Sequence, residues 1–201
     1  MTLKTLGQVL GAAATIAMAL ATPAAAHVGA GDAHGFMHGL AHPVGGLDHV
    51  LAMVAVGLLA ASLGGRAIWA VPAAFLAMMA VGGLLGMMNV ALPYVELGIA
   101  ASVVVLGVAV ALRLPMSTVA AAALVGFFAI FHGYAHGAET PADASAAGYA
   151  VGFMLATAFL HAIGIALGLG IARIGRAGAN VAQLGGAAVS LAGVALIGGW
   201  L

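Results

Sequence analysis

Eight histidines stand out in a 201-residue chain that holds only five Lys+Arg and five Asp+Glu, and two groups of them have spacings that could hold a metal ion. The first group is His34, His38, His42 and His49, with Asp48 beside the last. Residues seven apart on a helix share a face, so a helix starting near Pro43 would set His42 and His49 on one side. Gly45 and Gly46 would leave room there for an ion or a neighbouring helix. Pro43 suits a first helical turn, where its missing N–H costs nothing. Asp48 projects to another side. It serves as a ligand if the helix is locally distorted, or as an acceptor that orients an imidazole. The second group is His132, His136 and Glu139, at i, i+4 and i+7. A helix points all three from one face, and two imidazoles with a carboxylate suit a divalent metal. His161 stands alone on a stripe with Thr157, Gly164 and Gly168 that fits the interior of a bundle. It reads either as a functional group or as a hydrogen-bonding tie between helices.

The elements that must position these groups are membrane helices. The chain is 65% hydrophobic and 5% charged, with mean hydropathy +1.22, against about 25% charged residues in soluble domains. Apolar residues run continuously instead of alternating, which excludes a lipid-facing β-barrel. With a span needing about 20 residues, the polar interruptions divide the chain into segments 43–62, 68–87, 93–112, 117–137, 147–171 and 181–201. The expected fold is an all-α polytopic bundle of about six transmembrane helices.

Residues 1–26 read as a signal peptide, with Lys4, an apolar stretch and Ala24-Ala25-Ala26 before the cut, leaving 27–201 as a single bundle domain. Cleavage after Ala26 would give His27 a free α-amine beside its imidazole, a chelating pair for a divalent ion. His34 and His38 would lie in a His-rich segment that collects metal near the bundle. With the mature N-terminus outside, Arg66, Arg113, Arg173 and Arg176 all fall in cytoplasmic connections, as the positive-inside rule requires. Both histidine groups then lie at the outer end, as do Glu96 and the C-terminus.

Zero formal net charge leaves no basic surface for nucleic acid. The absence of cysteine excludes disulfides, thiolate metal sites and iron–sulfur clusters. Ten methionines are scattered as apolar filler, and Trp69, Tyr94 and Trp200 read as interface anchors. Pairs such as Gly82/Gly86, Gly148/Gly152 and Gly164/Gly168 let helix backbones approach closely.

His42-Pro43-Val-Gly-Gly46-Leu-Asp48-His49 resembles the HPxxGxDH motif of the HupE/UreJ family, and Phe131 to Glu139 resembles its FHGxxHGxE motif, at every fixed position of both. The signal segment, span count and motif placement extend the resemblance over essentially the whole chain. It implies a multi-pass permease of the bacterial inner membrane that takes up Ni²⁺ for hydrogenase or urease maturation, with nickel-enzyme maturation proteins as partners. It also implies His42, Asp48, His49, His132, His136 and Glu139 as transport residues. His161 and His38 lie outside the fixed motif positions and rest on the residue reading, as does His27.

Nitrogen and oxygen ligands by themselves suit Ni²⁺, Co²⁺ or Zn²⁺ equally, so nickel comes from the resemblance. Two other classes fit the ligands: an intramembrane zinc hydrolase with Glu139 or Asp48 as general base, and a haem protein using paired histidines. The carrier reading, with no enzyme activity, is the one carried forward. No Gly-x-x-x-x-Gly-Lys-Ser/Thr loop is present. None is needed, since a dication moving down an interior-negative potential gains about 4.6 kcal/mol per 100 mV. Capture needs neutral imidazoles with an ordinary pKa near 6.5. Uptake is therefore expected to fall as pH drops through about 6, and a rate that stays flat from neutral to about pH 5 would count against histidine capture.

Overall fold

Gly, Pro and charged residues punctuate the apolar runs, and the chain folds into helices between them. The computed structural model describes residues 35–140 and 146–201, all within one compact unit. The signal segment, His27, His34, Asp32 and Asp143 lie outside the described residues. In order, the helices are α1 (Phe36–Gly45), α2 (Leu47–Leu63), α3 (Ala67–Met87), α4 (Val95–Ala111), α5 (Thr118–Ala138), α6 (Ala146–Arg173) and α7 (Gly175–Ile197). Among the described residues there is no strand.

Four of these helices, α3, α5, α6 and α7, are long and apolar enough to cross a membrane, and α1 with α2 makes a fifth span if the bent pair is counted as one. The remaining apolar helix, α4, has 17 residues, about 26 Å at the helical rise and just short of a full hydrocarbon core. Each segment expected from hydropathy thus matches one helix or the bent pair, but two details differ. The last helix begins at Gly175, and its first turn packs on the end of α6, where Gly178 meets the Ile171 carbonyl. The first span is not a single helix: α1 and α2 meet at 86° around Gly46, whose backbone is extended at φ −102°, ψ 120°.

That break corrects the placement of Pro43, which sits inside α1 and not in the first turn of a span. Its ring opposes the carbonyl four residues back and it donates no hydrogen bond, while Gly45 and Gly46 are weak helix formers. Together they end the helix where a continuous span would run on.

α2 is the central helix and touches every other. Its Met53, Val56 and Leu59 are fully buried with Phe75 of α3, Val103 and Leu106 of α4, and Val125 of α5. Glycines set the closest approaches. Gly82 and Gly86 of α3 lie against the Ile130 and Tyr134 carbonyls of α5, and Gly133 and Gly137 of α5 lie against Met79 and Gly83 of α3. Gly57 of α2 meets Gly164 of α6, Gly152 of α6 meets Phe36 of α1, and Gly107 of α4 meets Gly186 of α7. With lipid as solvent, such contact between backbones supplies the packing that water-driven burial supplies elsewhere. Trp69, Tyr94 and Trp200 are exposed, as anchors at an interface would be.

Candidate metal centre

The break at Gly46 turns α1 away from α2 and carries His42 to the end of α5. There His42, His136 and Glu139 each offer one ligand atom, and the three atoms lie within 4.8 Å of one another. His42 Nε2 is 3.5 Å from Glu139 Oε2. Glu139 reaches it because α5 closes just before: the Glu139 N–H donates to the Ala135 carbonyl and the Thr140 hydroxyl to the His136 carbonyl, at 3.3 and 2.8 Å. The imidazoles of His42 and His136 meet edge to face with ring centres 5.0 Å apart.

Aromatic side chains hold these rings. Phe153 of α6 packs on His136 at 4.3 Å between centres, and Tyr149 stands 5.8 Å from His42. His38, one turn before His42, stacks on it at 5.7 Å. Glu139 is 64% exposed and the His42 side chain 30%, so water reaches this group. A cavity of about 250 Å³ opens beside it between α3, α5 and α6, lined by His136, Thr140, Tyr149 and Phe153 with Met79 and Met154.

Beneath the outer group the histidines continue into the core. His49, in the first turn of α2, is buried and lies 5.1 Å from the His136 ring and 5.3 Å from that of His132. Its Nε2 is 3.3 Å from the Thr157 hydroxyl of α6. His132 is fully buried, with Nε2 at 2.9 Å from the Ser102 hydroxyl of α4. His161 is buried as well, its ring edge to face with Phe75 at 5.1 Å, and Phe75 also meets His132 at 5.8 Å. Nδ1 of His49, His132 and His136 and both ring nitrogens of His161 are buried with no hydrogen-bonding partner among the described residues. Each such atom left unpaired costs about 1–3 kcal/mol, so these nitrogens are suited to take up a bound ion or water.

The two motifs therefore meet, though not in the grouping their spacing suggests. His136 and Glu139 join His42, whereas His132, one turn deeper, faces His49 and Ser102. His42 and His49 do not share one helix face, because the helix breaks between them. Asp48 accepts the His49 backbone N–H at 2.7 Å in the first turn of α2, where its charge also suits the helix dipole. Glu96 likewise stands in the first turn of α4. Spacing missed Ser102, Phe75, Tyr149 and Phe153. Only Ser102 left a signal, as the one polar side chain in the apolar body of α4 after Glu96.

Residues 15–196 match the family model described as HupE / UreJ protein. The chain belongs to the HupE/UreJ family. It is 50% identical over 186 residues to Protein HupE of Rhizobium leguminosarum bv. viciae, covering 92% of this chain and 96% of that one. No solved structure matches it. The family's histidine motifs thus lie, in this member, at the bend between α1 and α2 and at the end of α5, in a helical membrane protein whose His/carboxylate group could hold a metal ion.

Proposed function

We propose that this protein imports Ni²⁺ across the bacterial inner membrane, taking the ion at the His42, His136 and Glu139 group and passing it inward along His49, His132 and His161. The observation that carries this reading is the file of buried imidazole nitrogens without partners, leading from a water-accessible ligand group into the bundle core. A resident structural metal would call for one closed ligand set, and a file suits an ion that moves on. Discontinuous helices at a binding site are also a recurring device of membrane carriers, and α1 and α2 provide one.

The arginine distribution supports a periplasmic outer group, with the mature N-terminus and the C-terminus on the same side. His38 and His27 would raise the local metal concentration ahead of capture, and the lipid bilayer is the other partner. Co²⁺ and Zn²⁺ suit the same nitrogen and oxygen atoms, so selectivity is a matter for competition. The relative's name and the family motifs support nickel as cargo and nickel-enzyme maturation as the destination. The protein acts as a carrier and not as an enzyme, and no feature of the site favours the zinc-hydrolase alternative.

The test is ⁶³Ni²⁺ uptake into proteoliposomes holding the purified protein, with and without an interior-negative potential. Uptake is expected to rise with the potential, since 100 mV is worth about 4.6 kcal/mol to a dication, or over 10³ in gradient. It is expected to vanish in the His132→Ala/His136→Ala double variant. Binding of the ion without any flux would exclude the import reading.

A further inference from the structure

The Ser102 hydroxyl has one proton and two neighbours that could take it. Oγ lies 2.6 Å from the Ile99 carbonyl oxygen one turn back on α4, and 2.9 Å from Nε2 of His132. A carbonyl can only accept, so the shorter contact uses the proton. The oxygen is then left to act towards the imidazole as an acceptor. Nε2 of His132 must carry its hydrogen, and in the neutral ring Nδ1 bears the lone pair. That Nδ1 is buried without a partner in the protein. The opposite tautomer would bury an unsatisfied N–H at Nδ1 and would draw the Ser102 proton to Nε2 at the expense of the shorter bond to Ile99, both costly in a core where Ser102 and His132 are fully buried.

We propose that Ser102, which belongs to neither histidine motif, is a positioning residue that locks His132 in the Nε2–H tautomer, so that His132 presents Nδ1 to a divalent ion. The inference rests on the reading of His132 as a metal ligand, while the tautomer itself can be read without any metal. Fixing the second ring nitrogen through an outer hydrogen bond is how proteins commonly set the orientation of a ligating histidine, and losing such a partner costs about 10–100-fold in metal affinity or activity. Thr157 approaches His49 Nε2 in a parallel way but at 3.3 Å, so the hydroxyl behind His132 is the stronger constraint.

The test is ¹⁵N nuclear magnetic resonance of histidine-labelled, metal-free protein in lipid nanodiscs at neutral pH, with His132→Gln used to assign its signals. The intact chain is expected to show a protonated Nε2 and a bare Nδ1 at His132. Ser102→Ala should shift the ring towards a mixture of tautomers and weaken equilibrium Ni²⁺ binding about 10-fold or more, and Ser102→Thr, which keeps the hydroxyl, should restore both. A protonated Nδ1 in the intact protein overturns the proposal even if no variant folds. An unchanged tautomer in Ser102→Ala overturns it too, as does a shifted tautomer with unchanged Ni²⁺ affinity. Because these readouts use the metal-free tautomer and equilibrium binding but no flux, a protein that binds Ni²⁺ without transporting it would remove the import reading and leave this one to be decided by the nitrogen assignments.

Discussion

Substituting His136→Ala is expected to lower Ni²⁺ affinity and uptake by about 100-fold or more, because loss of even an outer hydrogen-bonding partner of a metal ligand costs 10–100-fold. His136 belongs to the outer group with His42 and Glu139, and its ring also stands 5.1 Å from His49, the first histidine of the buried file. In the proposed import it would be the residue shared between capture and onward passage. The fold should survive: Phe153 and Tyr149 still pack against each other, and the helix contacts of α5 run through its glycines. Equilibrium dialysis with ⁶³Ni²⁺, alongside a thermal melt in detergent, checks this. Wild-type affinity in a folded variant would remove His136 from the site.

The second large effect is expected at a residue that touches no ion. Gly133→Ala should destabilise the bundle by about 3 kcal/mol, at the upper end of the cost of overpacking a core. A Cβ at this position would fall on the Met79 carbonyl of α3 and crowd the Gly83 backbone at 2.9 Å. No rotamer can relieve a clash between main chains, so α3 and α5 would have to separate, carrying His132 and His136 with them. Gly45→Ala is the matched control. Nothing lies within 4 Å of a Cβ built there, and the residue closes α1 without a positive φ. The two variants should differ clearly in melting temperature and in yield of folded protein. Equal stability would mean that the α3–α5 interface tolerates expansion, and the glycines of the second motif would then need another explanation.

These glycines show how the chain divides between what its sequence determines and what its fold decides. Membrane location, the all-helical class and the approximate spans follow from sequence, because an apolar run without charges has few alternatives to a hydrogen-bonded helix in lipid. The candidate site residues were legible for a related reason. Ionisable side chains cost on the order of 3 kcal/mol each at membrane depth, so histidines clustered in such a chain imply a use. Periodicity also placed His136 and Glu139 on one side of α5, where both approach His42.

Periodicity describes one straight helix, however, and the ligand groups are made between helices. The 86° turn at Gly46 separates His42 from His49 and sends them to different levels of the bundle. Pro43 and two glycines signal a weak point, but how far the chain bends depends on what α1 packs against, and that is α6, through Gly39, Gly148 and Gly152. His132 leaves the company of Glu139 for Ser102, thirty residues away in the chain, because the crossing of α4 and α5 places that hydroxyl beside its ring. Residue types and spacing thus determined which atoms could bind a metal. Which of them come together, and which ring nitrogens are left without a protein partner, was decided by helix crossings that depend on backbone contacts at glycine and leave no periodic trace in the sequence.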